Sequence, residues 1–155
     1  MMAYSIIRLR GKLNINPKVK DTLKYLRLNQ VNHCVVLPQN DTTKGMLNVA
    51  KDYVTWGEVD AETLAEAIST RGRLVGDKPV TDAVVAAGTD FGSIADFAAA
   101  IVEGKAQYKD LEGVKPLLRL HPAKKGLEGI KRSYQAGGAL GYRGEAINDL
   151  VRRMI

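Results

Sequence analysis

Residues 33–58 read HCVVLPQNDTTKGMLNVAKDYVTWGE, and this stretch decides the fold. Residues 33–37 form a continuous apolar run of strand length, expected in the middle of a sheet. Pro38, Asn40 and Asp41 end it, and Asp41 or Thr42 can cap a short helix through Met46, Leu47 and Ala50. Residues 53–56 are aromatic and β-branched and are closed by Gly57, which reads as a further strand. The connections are short, so the helix must fold back over one face of the sheet.

Upstream, residues 4–10 (YSIIRLR) predict a strand with Arg8 and Arg10 on one face. Gly11 and Asn14 mark a turn. Asn16 then caps a helix with Pro17 at its first position, where a missing N–H costs nothing. Val19, Leu23 and Leu26 give that helix one apolar stripe. Residues 1–60 therefore predict a compact β-α-β-α-β core.

Downstream, Asp60 caps a helix over 61–70, and Gly72 and Gly76 break the pattern. Thr81 opens a short helix that Gly88 stops, and Ser93 with Asp96 resembles a capping box before a helix over 94–102. Residues 117–120 read as a strand. Residues 145–154 form an amphipathic helix with Ile147, Leu150, Val151 and Met154 facing inward. Residues 61–155 are thus a mostly helical extension of the core, and the class is α+β.

One segment of the extension has neither period. Residues 122–144, PAKKGLEGIKRSYQAGGALGYRG, carry Lys124, Lys125, Lys131, Arg132 and Arg143 against the single acid Glu128. They also hold six glycines. A long basic, Gly-rich loop inside a compact chain is usually functional or disordered. Glycines let backbone approach phosphates closely, and the cations neutralise them. Tyr134 and Tyr142 could stack on unpaired bases. Read from composition alone, a solvated loop would carry the same residues. No Gly-x-x-x-x-Gly-Lys-Ser/Thr or Gly-x-Gly-x-x-Gly string occurs here, and the three Gly-x-x-Gly spacings carry little weight.

Charge is distributed in blocks. Residues 1–60 hold 9 Lys and Arg against 5 Asp and Glu, residues 61–113 hold 5 against 9, and residues 114–155 hold 9 against 3. An acidic middle between basic flanks suits a polyanion that meets both ends of the chain. Lys44–Gly45–Met46 at a helix start could bind phosphate through free N–H groups, although an ordinary cap with an exposed lysine gives the same string.

Catalysis has little to rest on. Cys34 is the only cysteine, and His33 and His121 are the only histidines, a poor zinc set. Neighbouring strand residues point to opposite faces, so His33 and Cys34 form no dyad; Cys34 is expected in the core. Trp56 is likewise expected in the core. The acids of the middle segment fall on caps and helix faces without a converging pair. No apolar run approaches membrane-spanning length, and the broken run before Arg8 is no signal peptide.

Taken together, the strings IIRLRG (6–11), VNHCVVLP (31–38), KGM (44–46), YVTWGE (53–58), LRLHP (118–122), IKRSY (130–134) and GGALGYR (137–143) resemble a known family. It is the large-ribosomal-subunit protein of universal family thirty, in its long archaeal form. The short bacterial members resemble only the first part, and eukaryotic members carry a basic N-terminal arm. Ala123 and Leu127 depart from the family's usual proline and aromatic. The resemblance implies a core with some likeness to ferredoxin-like folds, followed by a C-terminal extension. It implies a structural constituent of the cytoplasmic ribosome that binds large-subunit rRNA, with 5S rRNA and other large-subunit proteins nearby. It implies no catalysis, cofactor, metal, small-molecule substrate or membrane contact. The expected RNA-binding residues are Arg8, Arg10, Lys12, Lys44, Gly45, Arg119, His121, Lys124, Lys125, Lys131, Arg132, Tyr134, Gly137, Gly138 and Arg143. A free-standing RNA-binding regulatory module would use the same surface.

Overall fold

The computed structural model describes residues 3–11, 13–127 and 129–155. Five strands form one sheet: β1 (Ala3–Arg8), β2 (His33–Pro38), β3 (Val54–Glu58), β4 (Leu118–Arg119) and β5 (Gly141–Tyr142). Their spatial order is β4-β2-β1-β3-β5. β1 pairs antiparallel with β2 and β3, β2 pairs antiparallel with β4, and β3 pairs parallel with β5. Strands from the first sixty residues thus hold the centre, and two short strands from the extension form the edges.

Helices α1 (Pro17–Tyr25) and α2 (Asp41–Ala50) cover one face. Asn16 caps α1, as its sequence predicts. The cap of α2 is Asn40 rather than Asp41 or Thr42; its side chain accepts the Thr43 N–H at 2.8 Å. Leu23, Leu26 and Leu47 bury against Tyr4, Ile6, Val35 and Val54 of the sheet. The opposite face carries Ile7, Cys34, Val36 and Val59. On it lie α3 (Ala61–Arg71), α5 (Ile94–Val102) and α6 (Ile147–Met154), with α4 (Asp82–Gly88) against α5. The period of two along β1 explains both layers: odd positions meet the extension and even ones meet α1 and α2.

The caps Asp60, Thr81 and Ser93 stand where the sequence puts them, each accepting an N–H three residues on. Some boundaries differ. β1 ends at Arg8 rather than Arg10, because the Arg8 guanidinium folds back to the Arg10 and Gly11 carbonyls and curls the chain. β4 keeps only two of its four expected residues. A 3₁₀ turn, Gly144–Ala146, takes the expected start of the last helix. No described helix is long and apolar enough to cross a membrane.

Candidate nucleic-acid interface

The basic segment enters from β4 and is fastened at once to the end of α6. His121 and Lys124 donate their backbone N–H groups to the carbonyls of Met154 and Arg153, at 2.8 and 3.0 Å. Those carbonyls are among the ones a helix end leaves without partners. The Arg153 guanidinium in turn donates to the Gly126 carbonyl at 3.0 Å. Beyond Leu127 the chain makes a closed turn. Ala139 donates to Gly129, Leu140 to Arg132 and Tyr134 to Leu140, with N–H to oxygen distances of 2.7–3.1 Å. Gly137 takes φ +86° after a 3₁₀ turn over Tyr134–Ala136. Gly138 passes so close to Arg132 that a Cβ would collide with its carbonyl.

The stretch shows neither period, yet its far end joins the main core and the sheet. Ala139 and Leu140 are buried in the main core, and Gly141 and Tyr142 add β5 to the sheet. A two-residue strand has no period to read, so the composition could not announce it. What remains outward is the near part: Lys124, Lys125, Lys131 and Arg132 are all exposed.

Arg143 fastens this turn. Its Nε donates to Thr55 Oγ1 at 2.8 Å, one terminal nitrogen donates to the Ala139 carbonyl at 2.6 Å, and the guanidinium lies 4.9 Å from the Tyr134 ring centroid. One face of Tyr134 is therefore occupied, although the residue is 39% exposed.

Strand directions decide which remaining residues converge. Arg8 pairs with Val54, His33 with Arg119, and Thr55 with Gly141. The end of β1, the end of β4 and the start of β5 therefore share one end of the sheet. Arg10, Arg119 and His121 lie there beside the basic turn. Arg10 stacks on Tyr53 at 5.1 Å. Arg119 and His121 are exposed, and Asp77 lies 3.9 Å from the Arg119 guanidinium. Asp77 binds Lys115 at 2.6 Å, and that bond holds its carboxyl below the usual range.

One expected contact, Arg8, is corrected. Arg8 is only 3% exposed, and its guanidinium donates to the carbonyls of Leu28 at 2.7 Å, Arg10 at 2.9 Å and Gly11 at 3.3 Å. It holds the end of β1 together and offers no surface. Lys44 is exposed but sits with Gly45 toward the opposite end, since α2 starts where β2 finishes. The backbone donors of Thr43 and Lys44 are already bonded to the Asn40 side chain and carbonyl. The ammonium of Lys44, not its N–H, is what that site presents. Lys12 lies outside the described residues.

Cys34 is buried beside Ser5, with the sulfur 3.2 Å from the hydroxyl oxygen, and burial pushes its thiol up to about 11. His33 is half-buried at the strand end. Among the described residues, no group of three or more His, Cys, Asp or Glu could hold a metal.

Trp56 packs against the core as expected, but only in part. It lies on the α1–α2 face but is only half-buried, in a cleft of about 510 Å³ with Tyr4, Lys44, Gly45, Leu47, Asn48 and Tyr142. The alternation through residues 54–58 puts Trp56 on the same face as Val54. Nothing local to the sequence shows that this face runs past the end of its helical cover.

Comparison with known proteins bears on the whole chain. The sequence model described as "Ribosomal protein L30p/L7e" matches residues 4–54. A protein of Methanocella arvoryzae named "Large ribosomal subunit protein uL30" is 53% identical over 151 residues, which is 97% of this chain and 99% of that protein. Proteins of the same name from Methanocorpusculum labreanum and Archaeoglobus fulgidus are 49% and 48% identical, with the same coverage.

Proposed function

The chain belongs to the uL30 family of large-ribosomal-subunit proteins in its archaeal form, and from that premise we propose that it binds large-subunit rRNA through the basic turn and the sheet end beside it. Family membership makes it a structural constituent of the large subunit in the cytoplasmic ribosome and not an enzyme. The finer reading concerns how it holds RNA.

One observation carries this reading. The segment is tied to α6 at its start and to β3 at its finish, while Lys124, Lys125, Lys131 and Arg132 point outward between the ties. Four cations on a fastened turn meet phosphates with less ordering cost than the same four on a free chain. Arg10, Arg119 and His121 widen the basic surface at the same end. Gly137 and Gly138 shape the turn, and Arg143 and Tyr134 brace it. Lys44 and Gly45 belong to a second, separate contact. The proposed surroundings are large-subunit rRNA, 5S rRNA nearby, and other large-subunit proteins.

Sedimentation of cell lysate through a gradient tests this reading. The protein should co-migrate with the large subunit and be released by high salt together with other rRNA-held proteins. A protein that stays at the top of the gradient would overturn it.

A further inference from the structure

The cleft beside α2 lies apart from the basic turn. It exists because β5 widens the sheet while α1 and α2 cover only its middle. Register sets Trp56 directly beside Tyr142, with ring centroids 6.4 Å apart and planes inclined at 49°. Tyr142 is 42% exposed, so its ring forms an outer wall. Its hydroxyl lies 2.6 and 2.7 Å from the two carboxylate oxygens of Glu58, which fixes the ring in place. That carboxylate beside the hydroxyl is the main cause that pushes the phenol up to about 12, so Tyr142 stays a neutral donor at physiological pH. Tyr4 and Leu47, both buried, contribute floor. Lys44 stands at the rim with its ammonium exposed, and Asn48 adds an amide.

Two pre-set aromatic rings, an amide and one cation at the edge match a base with its phosphate. Stacking needs only a π-face and tolerates any base, while the cation takes the backbone charge. A protein partner fits less well, because a stable interface needs a broad patch with an apolar centre. Among the described residues, the other exposed large apolar side chains, Leu13, Tyr25, Val31, Val75, Ile130 and Tyr134, do not line this cleft. We propose that the cleft takes one unpaired nucleotide of RNA, its base against Trp56 and Tyr142 and its phosphate at Lys44. This deepens the rRNA-binding reading and rests on it.

The test uses the fact that Trp56 is the only tryptophan in the chain, so its emission reports on the cleft alone. The full-length protein is titrated with a single-stranded oligoribonucleotide, the same sequence as a duplex, and a large-subunit rRNA transcript. The single strand and the transcript should quench Trp56, and the duplex, whose bases are already stacked, should not. Tyr142→Ala should weaken single-strand binding about 5- to 150-fold without changing its salt slope. Lys44→Ala should reduce that slope by about 0.7, and Tyr142→Phe should keep most of the affinity. If the transcript binds while Trp56 emission stays unchanged, the cleft inference fails and the rRNA reading stands. If the wild-type protein binds no transcript in a filter assay, both fail. Quenching by isolated large-subunit proteins and not by RNA would make the cleft a protein dock and overturn the proposal. Wild-type quenching needs no variant, so the outcome is decided even where Tyr142→Ala loosens the sheet edge.

Discussion

Arg8 is a buried cation with no ion pair to a carboxylate among the described residues. Three carbonyls at 2.7–3.3 Å take its donors instead, and burial lowers its tendency to hold the proton. Arg8→Met would fill similar space and leave those oxygens without their donor. We expect it to lose about 2–3 kcal/mol in urea unfolding, with the salt slope of RNA binding unchanged. A change in slope at constant stability would return Arg8 to the RNA-binding surface. Cys34 gives a pH prediction. Its thiol ordinarily titrates at 9.0, and burial raises it to about 11 in the folded chain. The unfolded chain therefore releases the proton first, so this contribution is intact below pH 9 and is lost as pH rises toward 11. The loss is on the order of 2 kcal/mol. Melts from pH 8 to 11 should show the wild type losing more stability than Cys34→Ala. Parallel decline of the two would show that the thiol does not titrate as burial dictates.

At the scale of the element, the basic turn combines a fastened frame with outward charge, and these separate experimentally. Changing Lys124, Lys125, Lys131 and Arg132 together to Ala should leave the melting temperature near wild type. It should lower the salt slope of rRNA binding by about 0.7–0.9 for each phosphate that is no longer neutralised. A slope equal to wild type would move the RNA-binding surface elsewhere. Gly138→Ala acts on the frame, because its Cβ would run into the Arg132 carbonyl. Overpacking of this kind costs about 1–3 kcal/mol, and thermal unfolding should show it. Affinity should fall while the cations remain, since they would no longer be held in one arrangement. Elements with local signals are legible in the sequence. The caps Asn16, Asp60, Thr81 and Ser93 each place an acceptor beside a helix start, and the structure uses all four. The cap of α2 falls one residue before the expected pair because Asn40, Asp41 and Thr42 are all competent acceptors in a row.

Across the whole molecule, one sheet serves both parts of the chain. Ile7, Cys34, Val36 and Val59 of the first sixty residues are buried by α3, α5 and α6. A fragment of residues 1–60 would expose that face to water. We expect it to bind a hydrophobic dye and to unfold without a sharp transition, whereas the full chain unfolds cooperatively; a sharply folding fragment would show that residues 1–60 are an independent domain. The sequence by itself determined the order of helices and strands in the first sixty residues, the concentration of charge in 122–144, and, through strings such as VNHCVVLP and GGALGYR, the family. Those features are local, written in caps, periods and composition. Only the tertiary structure decided that Arg8 is buried, that Arg10 and Lys44 lie at opposite ends of the sheet, and that β5 runs parallel to β3 and leaves Trp56 beside an open cleft. Each of these depends on pairing between residues far apart in the chain, such as Thr55 with Gly141. A two-residue strand carries no period of its own, so its partner and direction are set by the packing of the elements around it.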